Sequence, residues 1–356
     1  MEFGSWSVLM VTFLLVVHIA QGGIVLSAVV HLSHVSGARW RADIAPHAHK
    51  TGFLFPLALA LLIILLAAPE NTFPYYADAD IHLNAWHNYT FLVTREVIML
   101  LLVTWVSFVF VWANERHDRN PSPKTQKTLT LTAALVLLMY VLYGTLLAWD
   151  FEMTLTPGWH SPMYSAYFFV SNFHMYLGIF VVSAYVLRSL SGTPVLTDNT
   201  FNYLAQMLLG FTLLWVYTFF AQFLTMWYGN LPEEVGRLYT MMYEDADQRK
   251  GAAPLASLFW WFVVLKSFIP FSLLIFAFVR HTPAMTAFVG LLIFTGTALE
   301  RYTWIASSYS THFPLTAQFD LLVILVVSVL VLLSWRAGIW AEPRLYQQFL
   351  GKEDAE

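Results

Sequence analysis

Arg95-Glu96, Lys266 and Glu300-Arg301 interrupt long apolar runs of this chain, and Asp150 and Asp320 stand at the ends of two others. His18 and His174 fall near the middle of further apolar runs. A charge placed in hydrocarbon costs a few kcal/mol or more unless it is paired or hydrated, so ionisable residues in such runs are candidates for proton or ligand handling. The alternative is internal ion pairing that fixes helix packing. For Asp150 and Asp320, a solvated helix end is a further alternative.

The elements that carry these residues are membrane spans. The chain has 356 residues, of which 58% are hydrophobic and 11% charged, with a mean hydropathy of +0.61. A water-soluble domain could not hide so much apolar side chain. About 20 apolar residues cross a bilayer core, and nine such stretches are legible: roughly 5–32, 49–68, 87–113, 128–149, 162–187, 200–228, 255–279, 284–307 and 317–340. The first is too long for a signal-peptide core and carries no basic leader, so it reads as a retained span.

Basic residues set the direction. With the N-terminus outside, Arg39, Arg41, Lys50, Arg116, Arg119, Lys124, Lys127, Arg188 and Arg280 fall in inner loops. Arg336, Arg344 and Lys352 fall in an inner C-terminal tail, and only Arg237, Arg249 and Lys250 lie outside. The outer loops are acidic, with Glu70, Asp78 and Asp80 in one and Glu233, Glu234, Glu244, Asp245 and Asp247 in another. The second reads either as a docking surface for an extramembrane partner, through Glu233 and Glu234, or as an ordinary solvated loop.

Direction turns scattered charges into a set. Arg95 and Glu96 lie about nine residues into the third span, roughly 13 Å deep from the outer face. Asp150 closes the fourth span at the outer rim, Gln222 lies near the outer end of the sixth, and Lys266 lies mid-depth to outer in the seventh. Glu300 and Arg301 end the eighth, and Asp320 opens the ninth. The inner half holds mainly Gln206, Tyr140 and, near its rim, His31. A channel through the whole bilayer needs polar steps throughout, whereas chemistry that exchanges protons with the outer face needs them only there.

His18 and His174 share a depth and could ligate a b-type haem, or act as hydrogen-bonded core groups or proton relays. Trp86, Trp149, Trp159, Tyr164, Trp227, Tyr228, Trp260, Trp261 and Trp304 crowd the outer rims. They read as an interfacial belt, or in part as flat apolar walls suited to a quinone ring. The third and seventh spans each carry a mid-helix cation, and the fourth and eighth each carry acid near the outer end. This echo suggests two parallel four-helix bundles, residues 49–190 and 199–340, after a first span and inner loop (1–48) and before a cytoplasmic tail (341–356). The first helix would then pack peripherally.

Several stretches resemble the NrfD/PsrC family, the membrane subunits of polysulfide-reductase-type and alternative complex III enzymes. Gly144-Thr-Leu-Leu-Ala-Trp-Asp150-Phe-Glu-Met, with Trp159-His160-Ser161 and Tyr164, is similar to a family motif closing the fourth span. Trp215-Val-Tyr217 through Gln222-Phe-Leu-Thr-Met-Trp227-Tyr228-Gly229-Asn230-Leu231-Pro232-Glu233-Glu234 is the most specific match. Ser267-Phe-Ile-Pro270-Phe and His18-Ile-Ala-Gln-Gly-Gly with Ser27 match further phrases. Residues 144–270 look closest to the ActF-like quinone-binding subunit 2 of alternative complex III.

The resemblance implies a multi-pass subunit of a bacterial cytoplasmic membrane. It would interact with non-covalent quinone or menaquinone near the outer face, or conduct its protons. Iron–sulfur/molybdopterin-like and cytochrome subunits would sit on the outer face, with a second NrfD-like membrane subunit alongside. The candidate quinol or proton site, drawn from the buried charges and the matching motifs together, comprises His18, Arg95, Glu96, Asp150, His174, Gln222, Trp227, Tyr228, Lys266, Glu300, Arg301 and Asp320. The absence of cysteine excludes thiolate-held iron–sulfur clusters and covalent c-type haem in this chain. No basic tract points to nucleic acid. The rival classes are a proton or ion transporter without redox chemistry, a b-type cytochrome, and a structural membrane anchor.

Overall fold

A computed structural model describes residues 3–33, 39–76, 85–156, 159–191, 196–243, 251, 253 and 255–308. The described residues are helical and contain no strand. Eight helices are long and apolar enough to cross a membrane: Trp6–Leu32, Asp43–Ala67, Tyr89–Arg119, Pro123–Met153, Pro162–Ser189, Asp198–Gly229, Ala256–Leu274 and Pro283–Ala306. They are called spans 1 to 8. They coincide with the first eight apolar runs, and the chain is an all-α, multi-pass membrane protein. The ninth run and Asp320 lie outside the described residues.

Local chemistry sets the helix ends. The Asn88 side chain accepts the Phe91 amide at the start of span 3. Ser122 and Thr125 form a reciprocal capping box at the start of span 4. Thr197 caps span 6 through the Thr200 amide. Span 6 stops at Asn230, whose φ of 46° is left-handed, a conformation Asn tolerates better than most residues. Pro232 then opens the short helix Pro232–Met242. The Gly-Asn-Leu-Pro part of the most specific sequence match is therefore a helix stop followed by a helix start.

Span 1 is not peripheral. Its apolar window is 89% buried, more than that of any other described span. It packs against spans 2, 4, 5 and 8, and this corrects the expectation of a helix outside two bundles. The misplacement has a physical cause. In a bilayer both lipid-facing and buried helices are apolar, so hydropathy alone does not tell centre from edge.

Spans 5 and 8 form the most extensive helix pair and join the two halves drawn from the sequence. They meet at Gly178 and Gly290. A Cβ on Gly178 would sit 2.6 Å from the Gly290 carbonyl oxygen, and the reverse distance is 2.5 Å. Small residues let helix backbones approach in membranes, where packing rather than hydrophobic exclusion holds helices together. Gly290→Val should therefore force spans 5 and 8 apart, costing about 1–3 kcal/mol or more. Lower thermal stability of the detergent-solubilised protein, with the helix content of the remaining folded fraction unchanged, is the expected outcome.

Candidate functional site

The buried carboxylates, Arg and Lys of spans 3 to 8 gather at one end of the bundle, the end where the described residues 69–76, 85–88, 154–156, 159–161 and 230–243 lie. They form two clusters.

The first cluster joins spans 3 and 4. Arg95 donates from Nε to Asp150 Oδ2 at 2.7 Å and from Nη2 to Oδ1 at 2.6 Å. This forked, charge-assisted geometry is the strong form of the pair. Its third donor, Nη1, reaches the Trp86 carbonyl at 2.8 Å. The Trp86 indole donates to Asp150 Oδ1 at 2.8 Å, and its ring lies 4.1 Å from the guanidinium carbon. The connection between spans 2 and 3 thus folds down on the pair. It is held there by Tyr76, which donates to the His87 carbonyl at 2.5 Å, and by Tyr89, which donates to the Leu66 carbonyl at 2.6 Å.

Asp150 is fully buried and is not a solvated helix end. Glu96 is also fully buried. It does not pair with its neighbour Arg95. It faces Asp150 and Tyr143, and neither carboxylate oxygen is in hydrogen-bonding geometry with a described donor. The first cluster therefore holds two carboxyl groups and one cation.

The second cluster joins spans 4, 5, 6, 7 and 8. Arg301 donates to Glu152 Oε2 at 2.5 Å and to Glu300 Oε1 at 2.7 Å. Lys266 donates to Glu300 Oε2 and, at 2.6 Å, to Ser171 Oγ. Ser171 donates to the same Glu300 oxygen at 2.8 Å, and the Trp215 indole approaches Glu300 Oε1 at 3.3 Å. Tyr164 donates to Glu152 Oε2 at 2.5 Å. The aromatic rings of Trp215 and Phe168 lie against Lys266 and Arg301 at 4.7 and 4.8 Å. All four charged residues are fully buried, and two acids balance two bases.

Two wide helical turns position these groups. In span 4, residues Trp149–Met153 widen so that the Thr154 amide donates to the Trp149 carbonyl, five residues back, at 2.9 Å. Asp150 and Glu152 share that turn, one serving each cluster. In span 7 the wide turn is Val264–Phe268, with Lys266 at its centre. Pro270 explains it. Proline has no N–H, and its ring pushes against the carbonyl four residues earlier, which belongs to Lys266. Gly296 on span 8 completes the fit, because a Cβ there would lie 2.6 Å from Lys266 Cγ.

Other residues singled out in the sequence take separate places. Gln222 accepts a hydrogen bond from Ser161 at 2.6 Å. It also lines a small void with Phe219, Met226, Leu238 and Trp304. His174 contacts Thr212 Oγ1 through Nε2 at 3.1 Å. His18 Nδ1 lies 2.7 Å from the Leu14 carbonyl, and its ring packs edge-on against Phe168. Among the described residues no group of three or more His, Cys, Asp or Glu could hold a metal ion. Trp227 and Tyr228 are 55% and 82% exposed and stand apart from both clusters, as do the exposed Trp260 and Trp261. This matches a belt. Trp159, Tyr164 and Trp304 do not: all three are buried, and Trp159 and Trp304 stack at 5.8 Å.

Arg237, read from sequence as an outer-loop charge, is buried against that stack. It donates to the Trp304 carbonyl at 2.8 Å and also bonds Thr156 Oγ1. Glu233 and Glu234 belong to the same short helix, and Glu234 is partly exposed.

Sequence reasoning passed over Glu152, Ser171 and Tyr143 as site residues. Glu152 stands two residues from Asp150, a spacing that an ordinary helix would point to the opposite side. The missed signal is the Asp-x-Glu pair inside an apolar helix end. Comparison of the chain with protein-family models and with curated proteins finds no match in either.

Two outcomes test this arrangement. Lys266→Met leaves Glu300 partly uncompensated in an enclosed site, and should destabilise by about 3–5 kcal/mol. The double variant Lys266→Met/Glu300→Gln should be more stable than that single variant, as read from thermal unfolding in one detergent.

The second outcome concerns pH. Burial pushes the His87 imidazole below its ordinary value of 6.5; Asp150 opposes that shift, while Arg95 and His160 add to it. The unfolded chain therefore takes up a proton that the folded loop refuses, and stability falls as pH drops below about 6.5. Replacing His87 with Asn should flatten this acid limb between about pH 7.5 and pH 5.

Proposed function

We propose that this chain is the membrane subunit of a quinol-linked respiratory oxidoreductase, of the NrfD/PsrC type its motifs resemble. On this reading the helix end that holds both clusters faces outward in a bacterial cytoplasmic membrane. Quinol binds near that end, its protons leave through the carboxylates, and its electrons pass to iron–sulfur or haem groups of partner subunits. The observation that carries the reading is the collection of Arg95, Glu96, Asp150, Glu152, Lys266, Glu300 and Arg301 at a single end of the bundle. Helix packing alone requires that such charges be paired, not that every pair lie at one depth.

The roles follow from position. Asp150 lies beneath Trp86 at the edge of the bundle, so it is the carboxylate best placed to exchange protons with water. Glu96 lies beside it with no cation of its own and serves as the inner acceptor. The second cluster, with charges balanced and rings against both cations, orients a polar head without gaining or losing net charge. The chain needs no bound metal for these steps; a quinone would supply the redox chemistry.

Purified complex should bind a quinone, and Asp150→Asn should lower quinol-dependent turnover by about 10²-fold or more, the usual scale for a lost proton-transfer group. Unchanged turnover in Asp150→Asn, together with no quinone binding, would falsify the reading. A structural anchor predicts instead that the variant changes assembly of the complex and not its rate.

A further inference from the structure

Arg237 is a buried cation without an acid of its own. It belongs to the short helix Pro232–Met242 and is 4% exposed. Its Nη1 bonds Thr156 Oγ1, and its Nη2 donates to the Trp304 carbonyl at 2.8 Å. Both acceptors are neutral. Among the described residues no carboxylate pairs with it. Glu152 acts on it electrostatically, but that carboxylate already accepts from Arg301 and Tyr164.

The remaining donor of Arg237, its Nε–H, has no partner among the described residues. Two neighbouring groups share this trait. Trp159 is fully buried and turns its ring face to the guanidinium carbon at 4.9 Å, which leaves the N–H at the ring edge unpartnered. Gln222 is 2% exposed. Its amide oxygen accepts from Ser161, two residues beyond Trp159, and its Nε2 is unpartnered. Buried polar groups in folded proteins are hydrogen-bonded, so three orphans in one place point to a shared ligand.

All three orphans are donors. The ligand must therefore accept hydrogen bonds, and the guanidinium beside it favours a negative charge. Space limits its size. Gln222, Trp304 and Leu238, the residue after Arg237, line a void of about 10 Å³, close to the room that one water-sized sphere occupies. The other walls, Phe219, Phe223, Met226 and Phe259, are apolar and replace no hydration shell. Stripping that shell costs a divalent anion far more than a monovalent one.

We propose that Arg237, Trp159 and Gln222 form a site for a small monovalent anion of the size and charge of chloride. The anion accepts from the Arg237 Nε–H, the Trp159 indole and the Gln222 amide. It neutralises the cation that stands beside the two acids and two bases of the second cluster, and it ties the short helix to span 6 and to the connection after span 4. The proposal is independent of the quinol reading.

The test uses the full chain in detergent. Thermal unfolding is followed at one ionic strength in sodium chloride, in sodium bromide and in sodium gluconate, whose anion is too large for the site. Chloride and bromide should raise the unfolding temperature saturably, and gluconate should not. Trp159→Phe keeps the ring and removes the N–H. It should raise the chloride concentration that gives half the effect by about tenfold, the scale of one hydrogen bond to a charged group. Gln222→Met should act alike, and Arg237→Gln should abolish the effect; if Arg237→Gln does not fold, the other two variants decide. Crystals grown in bromide should show an anomalous peak beside Arg237 Nε. Equal unfolding temperatures in chloride and gluconate, an undiminished chloride effect in Trp159→Phe, or a water only at that position would each overturn the proposal.

Discussion

An ion inside hydrocarbon must be neutralised where it stands, and the second charge cluster is the clearest consequence in this structure. Glu152, Lys266, Glu300 and Arg301 come from spans 4, 7 and 8, and all are fully buried. Each would be prohibitively placed alone. Together they have no net charge, and Ser171, Tyr164 and Trp215 supply donors to the carboxylates. The network therefore fixes which helices meet at this end and in what rotation. A one-residue turn of span 8 would carry Glu300 away from Lys266 and leave both charges exposed to lipid. The wide turn before Pro270 and the missing side chain at Gly296 are backbone adaptations to the same requirement. Gly178 and Gly290 let spans 5 and 8 close on it.

The first cluster solves the same problem one helix pair earlier. A cation on span 3 meets an acid at the end of span 4, as a cation on span 7 meets an acid near the end of span 8. One wide turn serves each case, but it holds the acid in span 4 and the cation in span 7. The echo read in the sequence thus has a geometric counterpart in which ion on helix n pairs with ion on helix n+1. It does not extend to two separate bundles, because span 1 runs through the middle and spans 5 and 8 are pressed together.

Much of this was legible in the sequence, and the failures have causes. Eight spans were readable because backbone satisfaction in lipid demands helices of a set length. Arg95, Asp150, Lys266, Glu300 and Arg301 stood out because charge in an apolar run is rare. Their partners were less legible. Arg95-Glu96 looks like a pair in the chain, yet Arg95 pairs across to Asp150, whereas Arg301 does bond its neighbour Glu300. Glu152 was hidden by a wide turn that no periodicity announces. The belt reading failed for Trp159, Tyr164 and Trp304 because composition gives depth but not which way a ring faces. Trp227, Tyr228, Trp260 and Trp261 are exposed, as a belt requires. Span 1 was misplaced for the reason that lipid and protein interior are equally apolar to a hydropathy scale.

The difference between the two clusters bears most on function. Both are buried, but only one is balanced. In the second, two acids face two bases. In the first, Arg95 commits both arms of its fork to Asp150 and its remaining terminal nitrogen to a backbone carbonyl. No cation remains for Glu96. The neighbour that Glu96 faces is instead a second carboxylate. That neighbour is Asp150, and Asp150 lies directly beneath the Trp86 connection at the end of the bundle. On the proposed reading, the balanced cluster is the scaffold and the unbalanced one is where protons move. The helix end that carries both then acts as a single device, rigid on one side and titratable on the other.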